Sequence, residues 1–93
     1  MRRGKKDANH NDLEAVLRRN GWVPIDTHNV GPSCIGGFPD CLAYRSGNIT
    51  LWLEFKMPGE SLTQAEERFH AEHPGLVNII ETEVQLEKLL TKL

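Results

Sequence analysis

One segment, residues 49–56, does most to restrict what this chain can fold into. Its sequence, Ile-Thr-Leu-Trp-Leu-Glu-Phe-Lys, is rich in β-branched and aromatic residues and is typical of a single β-strand. Side chains alternate along a strand, so Leu51 and Phe55 project to one side and Trp52 to the other. Apolar residues on both sides predict a sheet that is covered on two faces, as in α/β proteins.

The rest of the chain predicts the element order αβββαβα. The β-α-β step near the end implies that the last strand lies parallel to another strand, through a right-handed crossover. We therefore expect an α/β fold with a mixed central sheet flanked by helices. The first helix has Asn11 as its N-cap and Glu14 closing the capping box, and the strands are predicted at 22–26, 41–44, 49–56 and 77–80. A second helix over 63–73 is capped by Ser61 or Thr63. The last helix is capped by Thr82 and Gln85, and its apolar stripe is Leu86, Leu89, Leu90 and Leu93.

Length and composition indicate one domain over residues 1–93, of which we expect residues 1–9 to be frayed. No apolar run approaches the roughly 18 residues of a membrane span, and the basic start is not followed by the apolar core of a signal peptide. We expect a cytoplasmic protein. Cys34 and Cys41 are too few for a disulfide framework, so we expect thiols.

The charge is unevenly distributed along the chain. Residues 1–47 hold seven Lys/Arg against five Asp/Glu, whereas residues 48–93 hold four against eight. Basic residues near the start could contact phosphates, although the net charge of −2 argues against a dedicated nucleic-acid binder. A solvated tail explains residues 1–6 equally well. The candidate DNA-binding residues are Lys5, Lys6, Arg18 and Arg19.

The length of one loop decides whether Asp40 meets Glu54. If residues 46–48 form a three-residue loop, Arg45 opposes Ile49 and Asp40 falls opposite Glu54, on the same face of the hairpin. A two-residue loop would turn Asp40 to the other face. The central glycine of the loop suits the left-handed position that a three-residue hairpin loop requires.

Asp40, Glu54 and Lys56 would then converge at one end of the hairpin. Two carboxylates beside a lysine suit Mg²⁺ or Mn²⁺ and the water that such an ion activates, and the backbone carbonyl of Phe55 could supply a further ligand. Lys56 could orient or deprotonate the attacking water and stabilise charge on the phosphate. The alternative is that Glu54 and Lys56 form an ordinary surface ion pair.

These motifs resemble the PD-(D/E)xK nuclease superfamily, and within it the small stand-alone VRR-NUC type of phages and bacteria. The resemblance covers nearly all of the chain beyond residue 10. It implies a restriction-endonuclease-like core and a Mg²⁺-dependent (or Mn²⁺-dependent), structure-selective DNA endonuclease, with Asp40 and Glu54 as metal ligands and Lys56 as the catalytic lysine. The matching pieces are Gly37-Phe38-Pro39-Asp40, Trp52-Leu53-Glu54-Phe55-Lys56 with Pro58-Gly59, and Leu62-Thr63-Gln64-Ala65-Glu66 running to Phe69-His70.

The resemblance also bears on two further acids and on the assembly. Many relatives carry glutamine where this chain has Glu66, which could still support the active site. Glu14 is a further candidate for the metal, with closure of the helix cap as its alternative role. Similar nucleases include four-way-junction (Holliday junction) resolvases and are often homodimers, which implies branched DNA and a second copy of the chain as partners.

Three other classes of protein remain as alternatives. A DNA-binding or assembly module could keep the nuclease fold without its chemistry, although Asp40, Glu54 and Lys56 are all present. A sequence-specific restriction enzyme is disfavoured, because 93 residues leave little room for an element that reads bases. Structural zinc is disfavoured by ligand spacing. The residues that suggest zinc are Cys34, Cys41, His70 and His73.

Overall fold

A computed structural model of the chain describes residues 9–27, 36–47 and 49–93. The element order within these residues is αβββαβα, as predicted. The elements are α1 (His10–Arg19), β1 (Val23–Asp26), β2 (Cys41–Arg45), β3 (Ile49–Phe55), α2 (Gln64–Glu72), β4 (Val77–Ile80) and α3 (Glu83–Thr91).

The described strands form one four-stranded mixed sheet in the order β1-β2-β3-β4. β1 and β3 each pair antiparallel with β2, whereas β4 pairs parallel with β3. The predicted parallel step is therefore confirmed. β1 lies at an edge of the sheet, where the missing N–H of Pro24 is tolerated.

The β2–β3 hairpin has the register that a three-residue loop predicts. Arg45 pairs with Ile49, and Cys41 at the other end pairs with Leu53. Gly47 has a φ of +96°, in the region that favours glycine, and Asn48 lies outside the described residues. Asp40, which directly precedes β2, is thereby brought beside the end of β3.

One face of the sheet carries the main apolar core. Leu53 and Phe55 of β3 are almost fully buried there, against Leu13 and Leu17 of α1. Leu86 of α3 completes the same cluster. This face therefore holds α1, α3 and the sheet together by apolar packing.

The opposite face is covered by α2 through fewer, mostly aromatic contacts. Phe69 of α2 meets the ring of Phe38 at 5.7 Å, and Phe38 meets Trp52 of β3 at 5.5 Å. At Gly37 the backbone approaches α2 so closely that a Cβ atom there would collide with the carbonyl oxygen of Ala65. The segment before Asp40 is thus packed directly on α2.

The start of α1 differs from the prediction. Asn9 is the N-cap, and Asn11 lies inside the first turn, so the predicted capping box of Asn11 and Glu14 is wrong. The side chain of Asn9 does not bond to the first turn of α1. Its Nδ2 instead donates to the carbonyl oxygens of Lys56 and Glu81, each at 3.1 Å. The expectation of a frayed start therefore fails at Asn9, whereas residues 1–8 lie outside the described residues.

The ends of the other helices also refine the sequence-based expectations. Thr63, not Ser61, caps α2, and Thr82 with Gln85 caps α3 as predicted. Leu93 is wrong as a member of the apolar stripe, because α3 ends at Thr91 and Leu93 is 46% exposed. Residues 28–35, between β1 and β2, lie outside the described ranges. No helix among the described residues is long and apolar enough to cross a membrane.

Candidate active site

Asp40 is held at the end of the hairpin by bonds on both sides. The main-chain N–H of Phe55 donates to Oδ2 of Asp40 at 2.9 Å. On the other side, the N–H of Thr27 donates to the carbonyl oxygen of Asp40 at 3.1 Å, and the hydroxyl of Thr27 donates to that of Pro39 at 2.6 Å. Phe55 at the end of β3 therefore positions the carboxylate, and Thr27, directly after β1, fixes the main chain at Asp40.

Glu54 is a buried carboxyl group next to Asp40. It is 1% exposed, and its Oε1 has no hydrogen-bond partner within the part of the chain that the structure describes. Burial, followed by the charge of Asp40 and a hydrogen bond to it, raises the pKa of Glu54 to about 10. In the metal-free protein Glu54 therefore holds a proton at neutral pH.

Lys56 lies between Glu54 and Glu66 and is closer to Glu66. Its Nζ is 2.7 Å from Oε1 of Glu66 and 3.8 Å from Oε2 of Glu54. Burial acts to lower the pKa of Lys56, but the hydrogen bond and charge of Glu66 outweigh it and raise that pKa. Lys56 is therefore a cation at neutral pH, with Glu66 as its closer partner.

Glu66 serves two groups with one oxygen atom. Its Oε1 accepts from the N–H of Thr63 at 2.8 Å, which closes the capping box of α2, and from Nζ of Lys56. Burial acts to raise the pKa of Glu66, but the hydrogen bonds of Lys56 and Thr63 outweigh it and lower that pKa. The structure thus brings the predicted supporting acid into the cluster, as an anion.

The main chain of Lys56 is also fixed. Its N–H donates to the carbonyl oxygen of Ile80 at 3.0 Å, and its own carbonyl accepts from Asn9. Sequence reasoning missed Asn9, because its role depends on a contact 47 residues along the chain. The lysine is therefore held by the start of α1, the end of β4 and the start of α2.

The donor set fits a divalent cation. Two carboxyl groups and a carbonyl are oxygen donors, which Mg²⁺ and Mn²⁺ prefer. A buried carboxyl oxygen without a partner is costly, and a bound cation would satisfy the Oε1 of Glu54 while displacing its proton. Asp40 and Glu54 are thus suited to hold such an ion; the carbonyl of Phe55, between Glu54 and Lys56, remains a predicted ligand.

Glu14 lies in a second cluster, which sequence reasoning missed. Its Oε2 is 3.1 Å from Nε2 of His10, one turn earlier on α1, and Asp26 of β1 completes the group. Beside it, burial and then the charges of Glu14, Asp26 and Asp40 raise the pKa of the Cys41 thiol to about 12, although a backbone hydrogen bond acts to lower it. Two clusters of acids therefore flank the start of β2.

The predicted DNA-binding residues do not join the active-site cluster. Arg18 and Arg19 lie in the last turn of α1, about 14 Å along the helix from Asn9. Arg19 pairs with Glu87 of α3 at 3.2 Å, and both side chains are exposed. Cations are favoured at the C-terminus of a helix in any case. Lys5 and Lys6 lie outside the described residues.

The zinc alternative gains no support from the described residues. Cys41 is a buried free thiol, and Nδ1 of His73 is 2.8 Å from the carbonyl oxygen of Phe69. His70 is half-buried on α2. None of these side chains belongs to the His/Cys/Asp/Glu group that could hold a metal, and Cys34 is not among the residues described.

Comparisons with known proteins found no relative. No protein family, no curated protein and no solved structure matches the chain. A functional assignment therefore depends on the site itself.

Proposed function

We propose that this chain is a Mg²⁺-dependent DNA endonuclease that hydrolyses phosphodiester bonds in branched DNA, built on a PD-(D/E)xK core of the VRR-NUC type. One observation carries the proposal. The buried carboxyl group of Glu54, whose Oε1 has no hydrogen-bond partner among the described residues, lies beside a second acid and a charged lysine. Burying such a group is costly, and ionisable groups with strongly shifted pKa values cluster at functional sites.

The residues divide the work between metal binding and charge stabilisation. Asp40 and Glu54 would hold the divalent cation, with the carbonyl of Phe55 as an additional ligand. When bound, such a cation acts as a Lewis acid on the phosphate and lowers the pKa of its water. The hydrogen bond from Phe55 to Asp40 keeps that carboxylate oriented before a metal arrives.

Lys56 is suited to bind the phosphate rather than to remove a proton. A lysine can act as a general base only after it has lost its proton, and the raised pKa of Lys56 keeps it protonated. A buried ammonium group adjacent to the metal ligands can instead stabilise the negative charge that develops on the phosphate oxygens. Glu66 holds the ammonium in place and compensates its charge before substrate binds.

The test is a cleavage assay with single-stranded, duplex, flap and four-way-junction DNA, in Mg²⁺, in Mn²⁺ and in EDTA. We expect wild type to nick or cut the branched DNAs when either ion is present. Asp40→Asn and Lys56→Met should each lower the rate at least about 100-fold, as loss of a metal ligand or a charge-stabilising group does. Lys88→Met, on the exposed side of α3, is the matched control and should cleave like wild type.

Each result has a defined meaning. Cleavage that survives both Asp40→Asn and Lys56→Met would overturn the assignment. Metal-independent binding of junction DNA without cleavage would support the non-catalytic module instead. If two copies of the chain act together, size measurement of the junction complex should give two protomers, because C₂ pairing places one site on each of two strands.

A further inference from the structure

We propose that His10, Glu14 and Asp26 form a second cation site, which takes a divalent first-row transition-metal ion in preference to Mg²⁺. One ligand atom from each residue, a ring nitrogen and two carboxylate oxygens, lies within 4.8 Å of the other two. This site shares no residue with the cluster of Asp40, Glu54 and Lys56, so it does not depend on the proposed endonuclease activity.

The first two ligands come from one face of α1. His10 and Glu14 are four residues apart, a spacing that places two side chains together on a helix and that helical metal sites use. Their Nε2 and Oε2 atoms are 3.1 Å apart. Two ligands that each bind an ion at about 2.1 Å and about 90–110° are about 3.0–3.4 Å apart, so this distance fits adjacent positions in a coordination shell.

The third ligand comes from the sheet. Asp26 ends β1 and pairs with Cys41 of β2, whose side chain is buried on the α1 side of the sheet. A rigid strand thus presents its carboxylate to a rigid helix. Because the donors belong to two packed elements, the three atoms are held together before any ion binds, which lowers the entropy cost of binding.

Two of the three ionisable side chains of this site are buried, which is unusual for such groups. His10 is 1% exposed and Glu14 is 6% exposed, whereas Asp26 is half-buried and leaves a side open to water. Two carboxylates at such a separation repel each other in a medium of low dielectric. An ion with two positive charges would relieve that repulsion.

The chemistry of the donors decides which ion fits. Asp40, Glu54 and the carbonyl of Phe55 offer oxygen alone, which suits Mg²⁺. The His10 site offers a ring nitrogen as well, and imidazole binds Mn²⁺, Fe²⁺ or Zn²⁺ in preference to Mg²⁺. Phe55 contacts both sites: its ring meets the ring of His10 edge-on at 4.8 Å, and its main-chain N–H donates to Asp40.

The test is a titration of the metal-free protein with Mn²⁺, followed by the loss of the electron paramagnetic resonance signal of free Mn²⁺. Wild type should bind two ions per chain. Asp26→Asn should lose one of them, with an increase in Kd of at least about 10-fold. Asp40→Asn should lose the other, and the double variant should lose both. Asp12→Asn, an exposed acid on the same helix, is the matched control and should keep two.

Competition identifies the ions. Excess Mg²⁺ should displace Mn²⁺ from Asp26→Asn, which keeps the oxygen site, but not from Asp40→Asn, which keeps the site containing His10. Equal displacement from both variants would overturn the preference for transition metals. His10→Gln should behave as Asp26→Asn does; if it fails to fold, Asp26→Asn alone decides the outcome, because its side chain is half-buried on an edge strand.

Two results separate this proposal from the proposed function. If Asp26→Asn binds as much Mn²⁺ as wild type, the cluster is only a buried His10–Glu14 ion pair and the second site does not exist. If Asp26→Asn loses an ion while Asp40→Asn loses none, the second site stands and the metal site of the endonuclease fails.

Discussion

Helices α2 and α3 begin with the same capping motif but use it differently. Thr63 and Glu66 cap α2, and Thr82 and Gln85 cap α3, with matching bonds in both directions. In each motif the Oε1 atom accepts a second hydrogen bond: Gln85 takes the N–H of Glu81 at 2.6 Å, whereas Glu66 takes the ammonium of Lys56 at 2.7 Å.

The comparison separates the demands of a helix from the demands of a site. A neutral amide is enough to complete a capping box, as Gln85 shows. The negative charge of Glu66 is therefore not required by α2, and its use is to hold Lys56. A residue that fits the rules of helix capping can in this way carry a second role that the capping pattern conceals.

The largest expected effect tests whether Glu66, rather than Glu54, is the ionic partner of Lys56. In Glu54→Gln we expect cleavage to fall at least about 100-fold, because a metal ligand is lost. The metal-free variant should nevertheless be more stable than wild type near pH 8, by about 1–3 kcal/mol. The amide of glutamine does not ionise, so folding no longer has to keep a buried carboxyl group protonated at that pH.

The raised pKa of Glu54 decides how the free energy of unfolding changes with pH. The pKa of Glu54 is raised from 4.5 to about 10 in the folded protein. Between these values the unfolded chain releases the proton that the folded protein retains, so stability falls as the pH rises. Urea unfolding of metal-free wild type at about pH 5 and about pH 8 should show this fall, and Glu54→Gln should not. A variant that is less stable than wild type at about pH 8 would mean that Glu54 is ionised and pairs with Lys56.

A smaller effect is expected from exchanging the two capping residues. Glu66→Gln keeps a cap on α2 but loses the ion pair with Lys56, so we expect cleavage to fall about 10-fold and stability by about 1–2 kcal/mol near pH 7. The pKa of Glu66 is lowered, so its contribution is present above 4.5 and is lost as the pH falls through the lowered pKa. The stability difference should therefore vanish in acid.

Gln85→Glu is the reciprocal control. A carboxylate is favourable near the start of a helix, and α3 offers this position no contact with Lys56, so both stability and cleavage should stay within error of wild type. Equal losses of cleavage in Glu66→Gln and Gln85→Glu would remove the distinction between the two motifs.

The smallest effect concerns the threonines themselves. Thr63→Ala and Thr82→Ala each remove one side-chain cap, and each should lower the free energy of unfolding by about 1 kcal/mol. Thermal unfolding should give similar shifts for both. Only Thr63→Ala should also reduce cleavage, because the first turn of α2 carries Glu66 to Lys56. A loss confined to Thr82→Ala would contradict this assignment.

Local sequence patterns predicted much of this fold. The hairpin register is the one that the three-residue alternative required, and the capping residues predicted where α2 and α3 begin, because both are decided by bonds over a few residues. Asp40, Glu54 and Lys56 were predicted to converge for the same reason. Their cluster needs one hairpin, one strand end and the register between them.

Features that depend on distant contacts were missed or wrongly assigned. Asn11 and Glu14 satisfy the capping pattern, but the side chain of Asn9 bonds the carbonyls of Lys56 and Glu81, so the helix begins earlier. No spacing rule joins His10 to Asp26, since they meet only when α1 packs on the sheet. The close approach of Gly37 to α2 is likewise a product of tertiary packing.

The three-residue loop of the β2–β3 hairpin also bears on the order in which contacts form during folding. Hairpins close within about 1–10 μs, whereas contacts that span a parallel crossover form more slowly. Asp40 and Glu54 belong to the hairpin, but Glu66 reaches Lys56 only after α2 has folded back over the sheet. We therefore expect Asp40 and Glu54 to become neighbours early in folding, and to repel each other before the ion pair of Glu66 and Lys56 has formed.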